Sequence, residues 1–303
     1  MNDKSQNRLI WSLAVTVALF VAEVAGGILS NSLALLSDAG HVLTDGFALA
    51  LSFIAIAIGR RPTDWRATFG YQRIGILAAL INGASLIIIA FFIAFEAYER
   101  FQSPPAIDAG LMLVIAVIGL IGNLVMALLL HGGSHDLNVR SAWLHVIGDA
   151  LSSVGVIVAG LVIYFTGWDA IDPLVSAAVC AVILISGVRV VKEALWIFLE
   201  LTPAGFHPED LARRLSDIAG IEDIHDLHIW SIAHKIPAFS AHVRVSDQRI
   251  SEADAIRREI EHRLAHLGIG HTVIQIECAD CGANGIYCER NGNSGANLRD
   301  HCH

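Results

Sequence analysis

A chain of 303 residues that is 54% hydrophobic and only 16% charged falls well below the roughly 25% charge of a soluble domain, which argues against an ordinary soluble enzyme, a disordered chain or a secreted disulfide scaffold. Its net charge of −9, with no basic patch, argues against nucleic acid as a partner. The charge is also uneven: the first 200 residues hold 24 Asp, Glu, Lys and Arg and the last 103 hold 25, so a membrane-like part precedes a soluble-like one.

Six stretches carry the ~20 apolar residues that cross a bilayer: 9–29, 33–59, 74–98, 109–130, 142–166 and 171–195. The first is too long for the apolar core of a signal peptide, and no convincing small-residue cleavage site follows it, so it reads as a span. Basic residues set the orientation. Lys4, Arg8, Arg60, Arg61, Arg66, Arg73 and Arg140 fall on the side of the C-terminal domain, and Arg100 alone falls on the other. The expectation is a multi-pass protein of the cell (inner) membrane, held in the lipid bilayer with both termini cytoplasmic.

Charged groups inside such spans are costly, about 2.5–3.5 kcal/mol for an Asp at a helix centre. Span 2 nevertheless holds Asp38, His41 and Asp45, and span 5 holds His145 and Asp149. The text repeats: His41-Val-Leu-Thr-Asp45 and His145-Val-Ile-Gly-Asp149 are both H-x3-D, and residues four apart share a helical face. At 1.5 Å per residue His41 lies about 12 Å, and Asp45 about 18 Å, below the outer end of span 2. Span 5 runs the opposite way, so packing the two helices brings His41 level with Asp149 and Asp45 level with His145. Two imidazoles and two carboxylates suit tetrahedral Zn2+; they lack the sulfur that Cu(I) favours and the oxygen-rich shell of Ca2+ or Mg2+. A lone buried His or Asp more simply bonds a neighbouring helix, but the doubled spacing at matched depth favours a metal set. Asp38 shares the His41 face as a supporting partner. Glu23 reads equally as a structural hydrogen bond or a proton-handling group, and Asn82 and Asn123 as links between helices.

After Thr202-Pro203 the pattern changes. Residues 208–218 read as a helix, 224–232 and 238–245 as strands, 251–267 as a helix capped by Ser251, and 272–277 as a third strand. The order α-β-β-α-β is that of a small α+β domain. His271 and Glu277 lie on one face of the last strand but about 20 Å apart, so one ion cannot take both. The tail adds Cys278, Cys281 and Cys288, then His301-Cys302-His303. C-x2-C in a reducing compartment reads as metal more often than as a disulfide. With His271 nearby, Cys278, Cys281, His301, Cys302 and His303 are candidates for a thiolate-rich zinc site; an unbound tail on the 284–300 tether is the alternative. His228, His234, His262 and His266 are left as surface or structural residues, and Cys180 as packing.

Three segments carry a family resemblance. Ser32-Leu-Ala-Leu-Leu-Ser-Asp-Ala-Gly-His-Val-Leu-Thr-Asp45 resembles the second-span signature of the cation diffusion facilitators, Thr68-Phe-Gly-Tyr-Gln-Arg73 the stretch before their third span, and Trp143-Leu-His-Val-Ile-Gly-Asp149 their fifth. Ile224-His-Asp-Leu-His-Ile-Trp230 is similar to the first-strand mark of their cytoplasmic domain. The resemblance implies an α-helical membrane protein (six transmembrane helices) with a C-terminal α+β ferredoxin-like cytoplasmic domain. It also implies a homodimer that exports Zn2+ in exchange for protons and is not an enzyme. By the same resemblance His225, His242 and Glu277 match one zinc site and His271 a neighbouring one. The expected parts are a transmembrane domain over 1–202, a metal-binding domain over 203–280 and a Cys/His tail over 281–303. Two departures stand out. Residues 60–73 contain no His, so the zinc site that some members hold there is not expected; only Asp64 offers a ligand. The loop between spans 4 and 5 has only His131 and His135. A membrane-anchored metal sensor without flux, or the same transporter moving cadmium, cobalt or nickel, are the rival readings.

Overall fold

The computed structural model describes residues 3–131, 137–278 and 286, with side chains described for 15–128, 147–278 and 286. Six long helices come first: α1 (Asp3–Ser30), α2 (Leu33–Gly59), α3 (Ile74–Gln102), α4 (Ala109–His131), α5 (Leu137–Thr166) and α6 (Ile171–Phe198). Over the described residues five stretches are long and apolar enough to span a bilayer, and that of α1, Val15–Ser30, is shorter. Many large apolar side chains on these helices are exposed, Leu49, Phe53 and Leu151 among them. Helices whose backbone is satisfied internally and whose outer faces are apolar are what a hydrocarbon solvent requires. The small domain that follows consists of α7 (Pro208–Ser216), β1 (Ile221–Ala233), β2 (Ile236–Val245), α8 (Ile250–His266) and β3 (His271–Glu277).

The chain divides into two compact units, Met1–Phe53 with Ala79–Val191, and Ile54–Ala78 with Lys192–His303. In the first, α4 packs on α5 and on α1. A core of Ala34, Leu35, Met112, Ala116, Val156 and Ala159 joins α2, α4 and α5. Small residues let backbones approach, the usual basis of helix association in lipid. A Cβ on Gly83 of α3 would lie 2.7 Å from Val191 Cγ2 and 3.1 Å from the Gly187 carbonyl oxygen of α6. Cys180 is buried between the same two helices and donates to the Ala90 carbonyl, the packing role expected of it.

The start of α2 is fastened by a residue far away in sequence. Asp172, fully buried at the start of α6, accepts from Ser32 Oγ at 2.6 Å, the Leu33 N–H at 2.8 Å and the Ala34 N–H at 3.2 Å. Ser32 Oγ in turn accepts the Leu35 N–H at 3.2 Å. Three of the four N–H groups that a helix start leaves open are thereby satisfied. Arg100 is similarly absorbed, donating to the Asn31 carbonyl and pairing with Glu96.

In the second unit β1 and β2 pair antiparallel through a tight turn at Lys235, where φ is 61°, and β2 pairs parallel with β3. The sheet order is β1-β2-β3, with α8 linking the parallel pair. Leu211, Leu215, Leu227, Phe239, Val243, Ile260 and Leu264 fill the core between helices and sheet. The α-β-β-α-β order is the expected one, but details differ. The first of these helices ends at Ser216, and α8 starts at Ile250 with Arg249, not Ser251, as its N-cap. Glu252 accepts the Arg249 N–H at 3.1 Å, so the acidic side chain closes the first turn and the Ser251 hydroxyl is not needed for it. Strand β1 runs longer than expected because bulges let it bend without losing its partner. The loop before α3 is folded on itself. The Asp64 carboxylate accepts the Arg66 and Ala67 N–H groups, each at 2.8 Å, and the Tyr71 hydroxyl at 2.9 Å. These bonds hold its pKa below the ordinary carboxylate value, and they occupy the one acidic group that the loop offered as a ligand.

Candidate metal centres

The first cluster is made by α2 and α5. His41 and Asp45 occupy one face of α2, and His41 Nε2 lies 3.7 Å from Asp45 Oδ2. The same nitrogen lies 3.8 Å from Asp149 Oδ1 of α5. One ligand atom from each of the three falls within 4.8 Å of the others. Ligands 2.0–2.2 Å from a tetrahedral zinc stand about 3.3–3.6 Å apart, so the two separations from His41 Nε2 need to close by only a few tenths of an ångström for each pair to share one ion. His145 falls on the same helix as Asp149, one turn earlier, and its side chain lies outside the described residues. Behind the cluster Asp38 is buried and accepts from Ser152 Oγ at 2.6 Å, which ties α2 to α5 at the level of the ligands. Asn123 donates to Ser153 Oγ across α4 and α5, the link expected of it. Glu23 is buried too, and its carboxylate occupies the space that glycine leaves at position 119, where a Cβ would lie 3.1 Å from Glu23 Oε1.

The second cluster is built on the sheet. His225 of β1 and His242 of β2 are cross-strand partners, and Glu277 ends β3. His225 Nε2 lies 3.3 Å from Glu277 Oε2, and His242 Nδ1 lies 2.8 Å from Glu277 Oε1. All three ligand atoms fall within 4.8 Å of one another, and His225 is almost fully buried. Two further acids, missing from the sequence reading, orient the rings. Asp223 Oδ2 lies 3.0 Å from His225 Nδ1, a contact that suits the tautomer with the proton on Nδ1, in which Nε2 keeps its lone pair for a cation. Asp226 adopts a left-handed backbone (φ 47°) in the bulge of β1 and contacts both His228 Nε2, at 2.9 Å, and His242 Nε2, at 3.5 Å. The available signal was an acidic residue two before and one after His225; strict alternation would have aimed Asp226 away, and only the bulge turns it inward. Replacing Asp223 with alanine is expected to weaken zinc binding at this cluster by about 10–100-fold, read by zinc competition with a fluorescent chelator, while the sheet stays folded because Asp223 is half exposed.

Among the described candidates, His271 lies apart from the sheet cluster. His271 begins β3, opposite Ala238, whereas Glu277 at the far end pairs with Arg244. The His271 ring meets Phe69 edge-on, with centroids 5.3 Å apart. Cys278 is exposed and free of any disulfide. Cys281, His301, Cys302 and His303 lie outside the described residues.

Comparison with known proteins matches both parts of the chain, the apolar helices and the small sheet domain. Residues 9–199 match the cation efflux transmembrane domain, and residues 203–279 match the cation efflux protein cytoplasmic domain. The chain is 45% identical over 286 residues to a cadmium, cobalt and zinc/H(+)-K(+) antiporter of Bacillus subtilis, covering 93% of this chain and 92% of that protein. It is 40% identical over 304 residues to the zinc transporter ZitB of Escherichia coli, covering 99% and 96%. It is 40% identical over 272 residues to the metal cation efflux system protein CzcD of Cupriavidus metallidurans, covering 89% and 86%. These matches cover both parts of the chain, which therefore belongs to the cation efflux, or cation diffusion facilitator, family of multi-pass membrane proteins and is a metal cation transporter, not an enzyme.

Proposed function

We propose that the protein is a zinc/proton antiporter that exports Zn2+ from the cytoplasm as a homodimer. The observation that carries this reading is the convergence of His41, Asp45 and Asp149 between two apolar helices; the reading adds His145 as the fourth ligand. A cation binds that set only when the imidazoles are neutral and the carboxylates ionised, so metal and protons compete for the same atoms. Histidine titrates near neutral pH, which lets a physiological proton gradient reload the site with protons on the far side. A rocking of the helices between two orientations would carry the ion across. In this reading both termini are cytoplasmic, in the cell (inner) membrane. His225, His242 and Glu277 bind zinc on the cytoplasmic side, His271 a neighbouring ion, and the Cys278, Cys281 and His301-Cys302-His303 groups join in sensing it. Zinc uptake into proteoliposomes with an imposed pH gradient tests the proposal. The expected result is uptake that stops when the gradient is collapsed; zinc binding without flux would identify a sensor instead.

Ion choice is expected to follow the nitrogen content of the set. His41→Asp exchanges an imidazole for a carboxylate and moves the ligands toward oxygen, which discriminates less in favour of zinc. The cadmium-to-zinc rate ratio in competition uptake should rise severalfold; an unchanged ratio would mean that His41 does not touch the ion.

A further inference from the structure

We infer that His262 and His266 form a separate divalent-cation site on the solvent face of α8. The two residues are four apart on one helix, so their rings lie side by side. Their Nε2 atoms are 3.2 Å apart, and the rings meet edge to face with centroids at 4.5 Å. Two nitrogens bound about 2.0–2.1 Å from one tetrahedral ion stand about 3.3 Å apart, so the imidazoles already have the spacing of two ligands on one metal. Both side chains are exposed and open to an ion from solution. The opposite face of α8 is anchored by Ile260 and Leu264, both fully buried, so the pair is presented on a rigid support and loses little freedom on binding. His266 is the last residue of α8, where the partial negative charge of a helix C-terminus favours a cation. The neighbouring positive charge of Arg263 is offset by Glu259, whose Oε1 accepts from its Nε at 2.9 Å.

Two imidazoles select borderline cations such as Zn2+, Ni2+, Co2+ and Cu2+ over the oxygen-seeking Ca2+ and Mg2+. With only two protein ligands, water completes the shell and the ion exchanges readily, which suits capture from solution. The site is separate from the His225, His242 and Glu277 cluster, which is built from the three strands, and it stands whether or not the protein exchanges zinc for protons.

The test uses the full-length protein in detergent with Zn2+ and, separately, Ni2+ in equilibrium dialysis at neutral pH. His262→Gln and His266→Gln are exposed substitutions that leave the core of α8 untouched. Each alone is expected to remove one weakly bound equivalent, since one imidazole cannot hold the ion, and the double variant should lose no more than either single one. Cu2+ added to the wild type should show nitrogen couplings by electron paramagnetic resonance that weaken in both single variants. Equal binding by wild type and double variant, or loss through only one of the two histidines, would overturn the inference.

Discussion

Asp45→Ala and Asp149→Ala are each expected to lower zinc-driven proton exchange by two orders of magnitude or more. Both carboxylates stand within 4 Å of His41 Nε2, and removing either deletes a ligand and half of the negative charge that offsets a divalent ion. Even residues that merely orient a metal ligand cost about 10–100-fold in affinity when removed, so a direct ligand should cost at least that. The fold is expected to survive, because taking an Asp out of an apolar helix relieves a burial cost of about 2.5–3.5 kcal/mol on insertion scales. The check is zinc and proton flux in proteoliposomes beside size-exclusion chromatography of the same preparations. A variant that elutes like the wild type and transports at more than a tenth of its rate would move the transport site elsewhere.

Asp172→Ala is expected to damage the protein by another route, through stability. The carboxylate holds one hydroxyl and two backbone N–H groups at the start of α2. Hydrogen bonds to a charged group contribute about 1.5–3 kcal/mol, and donors left buried and unpaired carry their full desolvation cost. The loss should reach about 3 kcal/mol or more, seen as a clear fall in the thermal midpoint in detergent. Asp172→Asn keeps an acceptor oxygen and should lose less. Flux should fall in step with stability, because α2 carries His41 and Asp45 and its seat sets their position against Asp149. A midpoint unchanged in Asp172→Ala would mean that the cap does not hold α2.

These two carboxylate roles show what is legible in a sequence of this kind. Asp45 and Asp149 stand out because a charge inside an apolar run is conspicuous, and because the H-x3-D spacing occurs twice at matched depth. Asp172 is more buried than either, yet it lies at the edge of a span, where an acid passes for an interfacial residue. Its partners are about 140 positions away, and no local pattern reports them. The helices and strands follow the apolar period, so their order was readable, while their ends were set by single contacts such as the Glu252 carboxylate on the Arg249 N–H. The sheet cluster shows the same division. His225, His242 and Glu277 were named from a family resemblance, and the cross-strand register gives the physical reason they meet. Asp226 escaped notice because its role depends on a backbone bulge that strict alternation does not anticipate, whereas Asp223 shares the His225 face by simple alternation but carries no signal that sets it apart from other acids.

The central claim is that one zinc ion is held between α2 and α5 by these side chains. Diffraction from zinc-loaded protein, recorded at the zinc absorption edge, locates the metal directly. The account predicts an anomalous peak about 2.0–2.2 Å from ligand atoms of His41, Asp45 and Asp149, with His145 completing the set, and its disappearance in Asp149→Ala. Full zinc occupancy elsewhere in the helices, beside Glu23 or Asp38, with no density between His41 and Asp149, would contradict it.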